Sequence, residues 1–131
     1  MAKYVYPVVI TPENDGMFSS VFPDLEGCYT QGDDLADVID ASGDVLALVL
    51  YGLEEKKADI PAASGINSIS KKENEIVSLV SADTMEYRKL YDSKAVKKTL
   101  TIPAWLNTEA EKEGVNFSQI LQNGLKEYLH V

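Results

Sequence analysis

The chain has 131 residues, enough for one ordinary domain or two small ones, with 45% hydrophobic and 25% charged residues; no apolar run approaches the roughly 18 residues of a membrane span, and Met1-Ala2-Lys3-Tyr4 lacks the apolar core of a secretory signal. A single cysteine excludes an internal disulfide and a cysteine-only zinc site, and a single histidine, His130, leaves almost nothing for His-based catalysis, so a cytoplasmic protein without cofactors is expected. The net charge of −9 argues against nucleic acid as a partner, yet it is unevenly placed: residues 1–82 hold five lysines against fourteen acids, whereas residues 83–131 hold seven bases and seven acids.

Tyr4–Ile10 is a β-rich run interrupted by Pro7, which cannot donate to a ladder, so this strand is expected at a sheet edge or with a bulge. Asn14-Asp15-Gly16 is a hairpin turn signal leading into a second strand, Met17–Phe22. Pro23-Asp24-Leu25-Glu26-Gly27 turns the chain into a third, Cys28–Gln31. Asp33 or Asp34 then supplies a helix N-cap, with Asp37 in the first turn. Leu35, Val38, Ile39, Ser42, Val45, Leu46, Val49 and Leu53 follow at helical spacing, and Glu54-Glu55-Lys56-Lys57 reads as a solvated end. Pro61–Gly65 breaks the pattern, and Ile76–Ala82 is a fourth strand. The first domain, 1–82, therefore reads β-β-β-α-β, followed by a polar linker over 83–95 with one helical turn at most.

Val96–Pro103 is the most informative stretch. Val96, Leu100 and Ile102 fall on one face of a strand, and Lys97, Thr99 and Thr101 on the other. Helices follow at Ala104–Glu113, closed by Gly114, and at Phe117–Leu129, capped by Asn116. One strand and two short helices cannot bury a core alone, so 96–131 is expected to dimerise, its paired strands forming a ribbon for the DNA major groove. Lys97, Thr99 and Thr101 would read bases, Lys98 would hold a phosphate, and the helix start at Asn116 and Ser118 would grip another. Trp105 is assigned to the dimer core. The bland alternative is a helical hairpin packed on the first domain, its lysines merely keeping an edge strand soluble.

This tail resembles the ribbon-helix-helix family of bacterial repressors. Tyr6-Pro7, Asn14-Asp15-Gly16, Phe22-Pro23-Asp24-Leu25-Glu26-Gly27-Cys28, Thr30-Gln31-Gly32-Asp33 and Pro61 together resemble the HicB antitoxin family. The resemblance implies an α+β protein: a truncated RNase H-like domain joined to a ribbon-helix-helix dimerisation domain. It implies an antitoxin rather than an enzyme. The first domain would bind and block a small basic HicA-type toxin that cleaves mRNA, and the second would bind the operon's own operator DNA and repress it. The protein would be a homodimer, or a tetramer if both domains associate. An acidic surface facing an RNA-binding toxin would compete with phosphate, and Asp24, Leu25, Glu26 and Asp33 are the candidate contacts. Cys28 reads as a small buried apolar group, not a nucleophile. The competing functional reading is a metal-dependent RNase H-like nuclease built on Asp24, Asp33, Asp34, Asp37 and Asp40.

Overall fold

A computed structural model describes residues 3–131. The chain divides into two compact units, one ending at Lys94 and one spanning Ala95–Val131. The first holds strands β1 (Lys3–Pro12), β2 (Phe18–Val21) and β3 (Tyr29–Gly32), helix α1 (Leu35–Glu55), strand β4 (Ile76–Asp83) and helix α2 (Thr84–Tyr91). The strands form one antiparallel sheet in the order β3-β2-β1-β4.

β1 is an interior strand, not the edge that Pro7 suggested. The proline is accommodated because β2 is short: β1 pairs with β4 from Lys3 to Ile10 but with β2 only from Val9 to Pro12. Pro7 thus lies where β1 has a ladder partner on one side alone, and a missing N–H costs little there. Asp15 and Gly16 both take positive φ, 63° and 77°, in the β1–β2 turn. Glycine bears this without strain, and aspartate better than most residues.

Alternation along β1 sends Tyr6, Val8 and Ile10 into the core with Phe22, Leu25, Cys28, Val80 and Ala82. α1 covers that face with Val38, Leu46 and Leu50, while Leu35 and Ile39 at its first turns stay exposed. Val45, Val49 and Leu53 pack against the core as expected, so the stripe differs from the expected one by the loss of Leu35 and Ile39 and the gain of Leu50. Ser42 also faces inward. Its hydroxyl donates to the Val38 carbonyl at 2.6 Å and shares a 2.7 Å hydrogen bond with Ser20, so both buried hydroxyls are satisfied.

Asp34 caps α1 by accepting from the Asp37 amide at 2.8 Å, and the Asp37 carboxylate accepts from the Asp33 amide at 2.8 Å. Side chains of the sheet and its loops fasten the long connection from α1 to β4. The Tyr6 hydroxyl donates to the Pro61 carbonyl, and the Asp24 carboxylate accepts from both the amide and the hydroxyl of Ser64.

Where one helical turn at most was expected, α2 runs for eight residues. Asp83 caps it, accepting from the amides of Met85 and Glu86 at 2.9 and 3.3 Å. Tyr51 of α1, Tyr87 and Tyr91 form a ladder with ring centroids 5.0 and 4.7 Å apart, so tertiary packing rather than local propensity makes this helix.

In the second unit, α3 (Ala104–Lys112) and α4 (Phe117–Leu129) fall at the expected positions. Gly114 takes φ 65° between them, and Asn116 caps α4 by accepting from the Gln119 amide at 3.0 Å. Residues 96–103 are not assigned as a strand, because a strand is defined by its ladder and none of the described residues pairs with them. No residue of α3 or α4 is buried.

Candidate functional site

Glu54 is half-buried and bonded to three side chains, not the solvated end that its sequence suggested. Its carboxylate accepts from the Tyr4 hydroxyl at 2.8 Å, the Thr84 hydroxyl at 2.9 Å and the Arg88 guanidinium at 2.9 Å. Arg88 also pairs with Glu55 and lies 3.9 Å from Asp92, with its guanidinium 4.6 Å above the Tyr51 ring. Burial alone would raise the Glu54 carboxyl, but the bonds from Arg88, Tyr4 and Thr84, with the Arg88 charge, hold it below the ordinary carboxylate value. Burial and the same carboxylate push the Tyr4 phenol up to about 12. Glu54 thus ties β1, α1 and α2 together. It escaped the sequence reading because its partners lie 50, 30 and 34 residues away. The local signal was an N-cap aspartate, Asp83, three residues before Glu86, followed by Tyr87, Leu90 and Tyr91 at helical spacing.

The four loop candidates divide by environment. Leu25 is 3% exposed and belongs to the core. Asp24 is half-buried and engaged with Ser64. Glu26 and Asp33 are exposed. Asp33, Asp37, Asp40 and Asp44 form an exposed acidic succession, the last three at helical spacings that share one face of α1.

The nuclease alternative finds no support in this geometry. Among the described residues, no three His, Cys, Asp or Glu side chains are grouped so as to hold a metal ion. Asp34 is spent on capping α1, and Asp24 on holding Ser64. Cys28 is fully buried, which pushes its thiol up to about 11. We therefore expect Cys28 to resist a thiol reagent such as Ellman's at pH 8 in the folded protein and to react promptly in denaturant; fast native labelling would contradict this assignment.

In the second unit Lys97, Lys98, Thr99, Thr101, Asn116 and Ser118 are all exposed. Leu100, Ile102, Trp105, Leu106, Phe117, Ile120, Leu121, Leu125 and Leu129 are exposed as well, far more apolar surface than an isolated helical hairpin can leave in water. No helix among the described residues is long and apolar enough to cross a membrane.

The first unit is an acidic sheet-and-helix body, and the second holds two short helices with no buried residue. Residues 6–122 match the family model of the HicB-like antitoxin of bacterial toxin-antitoxin systems, and the chain belongs to that family. It is similar to a chain of a toxin–antitoxin complex from Streptococcus pneumoniae, at 27% identity and a TM-score of 0.64, covering 97% of this chain and 99% of the other. A crystal structure of the antitoxin HicB3 matches at 28% identity and a TM-score of 0.52 over 95% of this chain and 97% of the other. Among curated proteins, an uncharacterised 14.9 kDa protein of the rep–hol intergenic region of Haemophilus phage HP1 is 30% identical over 105 residues, covering 78% of this chain and 75% of that protein. The family is one of antitoxins and not of enzymes.

Proposed function

We propose that the first unit captures a small basic toxin of the HicA type and that the second, as a ribbon-helix-helix homodimer, binds operator DNA and represses its own operon. The observation that carries the toxin half is the similarity over nearly the whole chain to a toxin–antitoxin complex. In this reading the exposed carboxylates of Glu26 and Asp33 meet the toxin, while Asp24 and Leu25 hold the loop in shape. The first unit is read as a truncated RNase H-like domain that has kept the scaffold without a metal centre.

The DNA half rests on the uncovered apolar side chains of residues 100–129. Pairing two copies through residues 96–102 would give the segment a ladder, bury Leu100, Ile102 and Trp105, and leave Lys97, Thr99 and Thr101 on the ribbon's outer face. Lys98, near the strand's start, then takes a phosphate, as do the amides at the start of α4 near Asn116 and Ser118. A protein acidic elsewhere reaches DNA only through such a locally basic face, since residues 94–103 carry three lysines and no acid.

The double variant Thr99→Ala, Thr101→Ala tests this assignment. In fluorescence-anisotropy titrations it should bind operator no better than unrelated DNA, while remaining a dimer and retaining the toxin. Lys98→Ala, which removes the phosphate contact, should instead weaken binding to all sequences and lower the slope of log K against log salt by roughly 1. Undiminished operator preference in the double variant would remove the two threonines from base readout.

A further inference from the structure

An open groove of 530 Å³ lies between α1 and α2. Its apolar wall is Ala47, Leu48, Tyr87, Leu90 and Tyr91, of which Leu48 is 52% exposed, Leu90 74% and Tyr91 72%. Side chains of this size left in water side by side along one groove mark a contact site. Asp44, Asp83 and Glu86 line the same groove, and no lysine or arginine does. The cations of α2 are engaged elsewhere or neutralised: Arg88 is held by Glu54 and Glu55, and Lys89 lies 3.4 Å from Glu86.

We infer that this groove is a docking site for a cationic amphipathic segment of a protein partner, one large apolar side chain entering between α1 and α2 and flanking lysines or arginines meeting Asp44, Asp83 and Glu86. The acidic row that runs from Asp33 through Asp37, Asp40 and Asp44 leads along α1 to the groove and extends the favourable field beyond it. The same carboxylates repel phosphate, which disfavours nucleic acid as the occupant. They also disfavour a second copy of this chain, whose own groove carries the same charge. The site offers no buried, unsatisfied polar atom to orient a small molecule. The inference rests on the antitoxin reading and deepens it, because the occupant it commits to is the basic toxin, seated against α1 and α2 as well as at the loop carboxylates.

The experiment is calorimetric titration of the full-length protein with an inactive form of the toxin from its own operon, comparing wild type with Asp44→Lys, Leu90→Asp and Leu48→Asp. These positions are exposed, so the melting temperatures should stay close to wild type, and sedimentation of the free proteins accompanies each titration. Asp44→Lys should weaken binding about tenfold and reduce its salt dependence, and each leucine variant should weaken it at least tenfold. If wild type binds and all three variants bind equally well, the groove is not the docking site and the antitoxin reading stands. If wild type itself does not bind the toxin, the antitoxin reading fails and this occupant with it. A change of oligomeric state in the free leucine variants, with toxin affinity unaltered, would overturn the inference in favour of self-association.

Discussion

Gly32→Ala should destabilise the first unit by about 3 kcal/mol, enough to lower its melting temperature by more than 10 °C or to leave it unfolded. Gly32 pairs with Phe18 at the end of β3, directly before the capped start of α1. A methyl group there would stand 2.4 Å from the Val38 nitrogen, 2.7 Å from the Val38 Cα and 2.8 Å from the Asp37 carbonyl carbon. All three are backbone atoms of a helical turn fixed by the Asp34 cap and by the bond from the Val38 amide to the Asp34 carbonyl at 3.0 Å. No flexible side chain can yield, so α1 would have to lift from the sheet and uncover Val38 and Leu46. Denaturant titration of the variant checks this, and a shift below 1 kcal/mol would show that the first turn of α1 can move freely.

Glu54→Ala is the second large effect. It removes one carboxylate and the bonds this accepts from Tyr4, Thr84 and Arg88, a loss of about 2 kcal/mol after allowance for the partial exposure of Glu54 and Arg88. Its pH dependence has a definite sign. The folded carboxyl is held below its unfolded value, so its contribution is complete above about pH 5 and fades as pH falls through the folded value. The stability gap between wild type and variant should therefore be constant from about pH 8 to 5 and narrow below that. Urea titrations of both proteins at several pH values check this, and a gap that widens on acidification would contradict the hydrogen-bonded carboxylate. Loss of α2 would also dismantle the tyrosine ladder, visible in the near-ultraviolet circular dichroism.

The succession of strands along the chain and the place of α1 were legible because their signals are local: the β-rich run of β1, the turn at Asn14-Asp15-Gly16 and the cap before Leu35 each act within a few residues. The glycine that ends β3 was legible as part of a motif, but its reason was not, since only the close approach of the α1 backbone explains it. α2 escaped because an eight-residue helix is decided by what it packs against. The same distance effect hid Glu54, which looks like a solvated residue beside Glu55 and Lys56 until Arg88 is brought back from 34 positions downstream. Around the loop, acidity was a poor guide to availability: Asp24 and Glu26 are two residues apart, yet one is engaged by Ser64 and the other faces water. Residues 96–103 carry the alternation of Lys97, Thr99 and Thr101, yet no described residue pairs with them, so the strand read from that alternation is not seen in the structure.

In the homodimer proposed for the tail, the absence of a buried residue in α3 and α4 of a single copy would make its stability depend on how much protein is present. A unit that must pair to acquire a core obeys mass action, so its folded fraction rises with total concentration instead of standing at a fixed value. A repressor of the kind proposed would sense its own abundance. As copies became scarce the tail would lose order and grip together, operator occupancy would fall more steeply than the number of molecules, and transcription of the operon would resume before the first unit had lost any of its own fold.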